Sequence, residues 1–66
     1  MKNTLKVERA KKDITQNTLA QAIGVSRQTI VAIEKGQYTP STILALKLAR
    51  YFRVNVEEIF TLEPED

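Results

Sequence analysis

A chain of 66 residues with no cysteine and no histidine reads as one domain, residues 1–66, that buries only about 60% of its unfolded surface; disulfides and the usual zinc sites are excluded, leaving self-association as support. The net charge of +2 hides a division: residues 1–53 hold all ten Lys and Arg against Glu8, Asp13 and Glu34, a net +7, while residues 54–66 hold five acids and no base, a net −5. No basic start runs into an apolar h-region and no stretch approaches the roughly 18 apolar residues of a membrane span, so the reading is a soluble, cytoplasmic chain.

Apolar spacing predicts helix almost throughout, broken where helix-stop chemistry falls. The first helix is expected from about Thr4 to Lys12, with Leu5, Val7 and Ala10 as its apolar positions. Thr15 can cap a second helix whose Leu19, Ala20 and Ile23 share one face, and Gly24 supplies the left-handed residue that ends it. Ser26 is the natural N-cap of a third helix, in which Ile30 and Ile33 point inward and Gly36 is the stop. After the loop "QYT" and Pro40, Ser41 can cap the longest helix, Thr42 to about Phe52, with Leu44, Leu48 and Phe52 as an i, i+4, i+8 stripe. Asn55 and Glu58 have capping-box spacing at the start of a short fifth helix. The alternating "FTLEP", residues 60–64, and the N-terminal "MKNTL" can pair as a terminal ribbon, the other outcome being two loose tails.

Two helices joined by the tight connection "AIGVS" form a helix-turn-helix, residues 15–36. The arrangement has a steric purpose, because a major groove about 12 Å wide admits one α-helix, which must project from the body while its neighbour braces it. Base-reading residues then belong at the start of the projecting helix, where Arg27, Gln28 and Thr29 stand. The excess of positive charge ahead of residue 54 fits a nucleic-acid partner, with Lys2, Lys6, Lys11 and Lys12 read as general field.

The ordered series Ile14-Thr15-Gln16, Leu19-Ala20, Gly24 to Ile30, Ile33-Glu34, Gly36, Pro40-Ser41 and "LALKLARYF" resembles the Cro/cI-type, or xenobiotic-response-element-type, helix-turn-helix regulators from Leu5 to Phe60. It is similar in length to their compact cytolysin-repressor-like subgroup. The resemblance implies an all-α, five-helix body with a small antiparallel β-ribbon from the two termini (about 1–4 and 60–64), a homodimer, and double-stranded DNA as partner. It assigns base reading to Arg27, Gln28 and Ala32, and phosphate contact to Gln16, Ser26, Thr29, Lys35, Gln37, Tyr38 and Thr39. The chemistry agrees: Arg chelates guanine O6 and N7, and Gln pairs with adenine N6 and N7. It also implies a partly buried, structural ion pair between Arg9 and Glu34. The chain departs from the pattern at Glu8 and Thr42, where many relatives carry an aliphatic residue, and at Ile43, a position often polar, which puts the packing of the first and fourth helices in question.

The function expected is a transcription regulator, most simply a repressor that occupies a pseudo-palindromic operator. The competing reading is a protein-interaction module, antitoxin-like or co-regulatory, using the acidic tail from Glu57 to Asp66. Nothing in the sequence points to an enzyme, a metal, a cofactor or a small-molecule ligand: no P-loop or G-x-S-x-G occurs, and the carboxylates are scattered.

Overall fold

The computed structural model describes residues 1–66. In chain order the elements are β1 (Lys2–Asn3), α1 (Leu5–Lys11), α2 (Gln16–Ile23), α3 (Arg27–Glu34), α4 (Thr42–Phe52), α5 (Val56–Ile59) and β2 (Phe60–Thr61). Hydroxyl caps set three of the helix starts: Thr15, Ser26 and Ser41 accept from the amides of Thr18, Thr29 and Leu44 at 3.0, 3.2 and 3.1 Å. Each satisfies one of the amides that a helix start leaves without a partner. At α5 the Glu58 carboxylate accepts from the Asn55 amide at 2.6 Å, the charge-assisted half of a capping box.

The core draws on every helix. Leu5, Leu19, Ile30, Ile33, Leu48 and Ile59 are fully buried, and Ala20, Ile23, Leu44, Ala49, Phe52 and Phe60 complete the cluster. Burying each large aliphatic side chain favours folding by roughly 1.5–3 kcal/mol, so these positions fix how α2 lies against α3 and α4, and α1 against α3. Gly24 ends α2 at φ +88°; a Cβ there would meet no atom within 4 Å, so the backbone conformation, not space, calls for glycine.

Helix α1 presents a different face from the expected one. Leu5, Glu8 and Arg9 turn inward at i, i+3, i+4, while Val7 is 52% exposed and Ala10 is also at the surface. The departure at Glu8 thus falls at a buried position, where the carboxylate keeps a partner in Lys11 Nζ at 3.2 Å. The departures in α4 fall outside: Thr42 is exposed and Ile43 is 68% exposed.

The terminal ribbon forms, antiparallel, with Lys2 opposite Thr61 and Asn3 opposite Phe60. It is shorter than residues 60–64 suggest, because Glu63 to Asp66 close a turn in which the Asp66 amide donates to the Glu63 carbonyl at 3.0 Å. Asn3 binds the ribbon to the body: its Nδ2 donates to the Ile33 carbonyl at 2.8 Å, and its Oδ1 accepts from the Leu5 amide at 3.1 Å. Thr4 adds a donation to the Glu58 carbonyl at 3.0 Å.

Candidate nucleic-acid interface

Helix α3 is held along one side and open along the other. Ile30 and Ile33 anchor it in the core, and Val25, half-buried in the turn before it, packs against the same cluster. The opposite side carries Gln28, exposed, and Ala32, half-buried one turn later, while Arg27 is exposed at the flank of the first turn. Ser26 and Thr29 face each other with their hydroxyl oxygens 3.0 Å apart, so both polar groups at the helix start already have a partner within the motif.

Behind this surface runs a continuous chain of side chains. Arg9 grips Glu34 twice, Nε to Oε2 at 2.8 Å and Nη2 to Oε1 at 3.2 Å, while its Nη1 donates to the Ile14 carbonyl at 3.0 Å. The two side chains are 16% and 6% exposed, which makes the pair a buried one. Gln16, at the start of α2, donates its Nε2 to Glu34 Oε1 at 3.1 Å, and its Oε1 accepts from Arg27 Nη2 at 3.3 Å. Burial alone would raise the Glu34 carboxyl's pKa, but the bonds from Arg9 and Gln16 and the charges of Arg9 and Lys6 outweigh it and hold the value below the ordinary carboxylate range. The hydrogen bond to Glu34 raises the Arg9 guanidinium in turn.

Lys35 is the exposed C-cap of α3 and, with Lys6, Arg9, Gln16 and Glu34, lines a polar cleft of about 580 Å³ between α1, α2 and α3. Gln37, Tyr38 and Thr39 are exposed in the loop that follows; at 46% exposure the Tyr38 ring does not cover the core. Thr39 lines a separate groove, beside Pro40, Leu46 and Phe60. The sequence reading missed the bond from Gln16 to Glu34 and the grip of Asn3 on the last turn of α3. No local pattern marks either one, since each depends on how distant elements cross. No cluster of three or more metal-ligating side chains comes together, and no helix is long and apolar enough to cross a membrane.

A helix-turn-helix family model matches residues 5–59. The chain is 54% identical over 66 residues to an uncharacterised HTH-type transcriptional regulator, MJ0272, of Methanocaldococcus jannaschii, with both chains covered in full. It is 47% identical over the full length of both chains to another, YgzD of Bacillus subtilis. It also aligns at 35% identity over 51 residues, 77% of this chain and 46% of the other, with the cryptic phage CTXphi transcriptional repressor RstR of Vibrio cholerae. Among solved structures it resembles the restriction-modification controller protein C.AhdI of Aeromonas hydrophila, with a TM-score of 0.77, 34% identity and 85% of each chain covered. Family match, relatives and fold agree that this chain belongs to the Cro/cI-type helix-turn-helix family of DNA-binding transcriptional regulators, a class that is not enzymatic.

Proposed function

We propose that the chain is a sequence-specific, homodimeric repressor that occupies a pseudo-palindromic operator with α3 in the major groove. The observation that carries this reading is the open face of α3, with Arg27 and Gln28 exposed at its first turn while Ile30 and Ile33 anchor its other side. Arg27 and Gln28 read base edges, and Ala32 offers a methyl group to thymine. Gln16, Ser26, Thr29, Lys35, Gln37, Tyr38 and Thr39 contact the backbone and set the register. RstR is named a transcriptional repressor and C.AhdI a restriction-modification controller protein, which supports a regulatory role; the chain acts in the cytoplasm.

A second copy has a place to dock. Ile43 and Leu46 lie at i, i+3 on the outer side of α4, 68% and 54% exposed, and Leu46 continues into the apolar groove of Met1, Pro40, Ala45, Val56 and Phe60. A chain this small gains stability by covering such a surface. Twofold pairing places two α3 helices on half-sites about 10 bp, or a multiple of it, apart.

The test is selection of bound sequences from random duplexes, repeated with Arg27→Ala and across salt concentrations. A palindromic site whose preference relaxes at one symmetric pair of positions in Arg27→Ala supports the reading. Binding that is steeply salt-dependent but sequence-blind, or no binding at all, overturns it in favour of the protein-interaction role.

A further inference from the structure

We propose that the groove between the end of α2 and the second half of α4 is a docking site for an acidic, amphipathic segment of another protein, distinct from the open face of α3. The groove, about 300 Å³, has an apolar floor of Ala22, Ile23 and Tyr51, with Lys47 and Arg50 along its rim. Lys12, just past the end of α1, sets its Nζ 4.5 Å from the centre of the Tyr51 ring. All three cations are exposed and none belongs to an ion pair, whereas Arg9 and Lys11 have Glu34 and Glu8 as partners. The polar cleft between α1, α2 and α3 mixes its Lys and Arg with Asp13 and Glu34, but this groove holds no carboxylate. Uncompensated positive charge therefore borders an apolar surface.

That combination selects the occupant. A nucleic-acid backbone would satisfy the cations and leave Ile23 and the Tyr51 ring facing water. A neutral apolar ligand would cover the floor and strip water from the cations without replacing it. A protein segment that carries acidic and apolar side chains together meets both demands. Lys47 and Arg50 stand at i, i+3 on one side of α4, the spacing that faces two carboxylates one turn apart on a docked helix. The floor is also preformed. Tyr51 meets Phe52 edge-on, with 5.1 Å between ring centres and 84° between planes, and Lys12 lies over the same ring. A surface already ordered loses less freedom when a partner arrives. The groove shares no residue with the Leu46 groove on the other flank of α4, so a second copy docked there leaves it open.

The experiment selects random linear peptides, displayed on phage, against the full chain. The expected winners combine Asp or Glu with large apolar residues, and their amide shift changes in ¹⁵N spectra of the native protein centre on Ala22, Ile23 and Tyr51. Lys47→Gln combined with Arg50→Gln is expected to raise the Kd of a selected peptide about two- to thirtyfold, the effect of losing two exposed ion pairs. Arg27→Ala is expected to leave that Kd unchanged, which keeps this proposal apart from the reading role of α3. No enrichment, winners without acidic residues, or a peptide bound equally well by the double variant each overturns the proposal. Shift changes centred on α3 overturn it too, since the peptide is then imitating DNA, as do shifts in the groove amides when duplex DNA is added. A double variant that alters the sedimentation of the chain alone gives the groove to a second copy instead. The shift map is read on native protein, so the proposal stays open to refutation even where the double variant fails to fold.

Discussion

Arg9→Ala is expected to destabilise the fold far more than Arg27→Ala, although both remove one arginine from the same network. Removing Arg9 takes three bonds away, two from Glu34 and one from the Ile14 carbonyl, and leaves a carboxylate that is 6% exposed with Gln16 as its remaining partner. Breaking a buried pair from one side costs about 3–5 kcal/mol. Gln16 and the positive charge of Lys6 compensate in part, which brings the expected loss to about 2–3 kcal/mol. For a domain of this size that lowers Tm by roughly 10–20 °C. Removing Arg27 takes away one exposed bond to Gln16 and costs within about 0.5 kcal/mol, a shift of about 4 °C at most. Thermal melts followed by circular dichroism at 222 nm, at one protein concentration because an oligomer's Tm depends on it, measure both. Equal melting temperatures would refute the assignment of Arg9 to the scaffold and Arg27 to the surface.

Acid offers a second view of the same pair. The Glu34 carboxyl titrates lower in the fold than in the unfolded chain, so its contribution is complete above its unfolded range near pH 4–5 and is lost as pH falls through the folded value. Urea unfolding between about pH 6 and pH 3 should show native protein losing its advantage over Glu34→Gln, and parallel curves would contradict this. Leu46→Glu, a charge placed in the exposed α4 groove, should give a folded monomer in sedimentation and weaken operator binding; a persistent dimer would move the interface elsewhere. Arg53 ends α4 in the left-handed region at φ 57°, so Arg53→Gly should raise stability by about 0.5–1 kcal/mol. A lower urea midpoint for Arg53→Gly would show that its side chain matters more than its backbone.

The parts of the fold legible in the sequence are those governed by near neighbours. Thr15, Ser26 and Ser41 each cap the amide three residues on, and Gly24 ends α2, because both effects act within one turn of chain. The inward face of α1 was not legible from hydropathy. Val7 and Ala10 are apolar yet exposed, while Glu8 is buried, because the roll of α1 is fixed by polar bonds at Asn3 and Arg9. The pairing of Arg9 with Glu34 was suggested by family resemblance, not by spacing, and the approach of Gln16 to the same carboxylate was not suggested at all. Side chains 18 residues apart meet only because α2 and α3 cross at a particular angle. The terminal ribbon was visible as two short alternating stretches, but its end at Thr61 is set by the turn that follows.

The pairing of Lys2 with Thr61 also says something about the order in which the molecule assembles. It closes a loop of nearly the whole chain, an entropically costly contact, whereas α2, the turn and α3 meet through neighbours close in sequence. The helical body is therefore expected to form first and the ribbon to zip last. Since Asn3 in that ribbon grips the last turn of α3 through the Ile33 carbonyl, closing the ribbon also ties down the end of α3. Amide exchange at the ribbon then reports how often a folded molecule briefly releases its grip on α3.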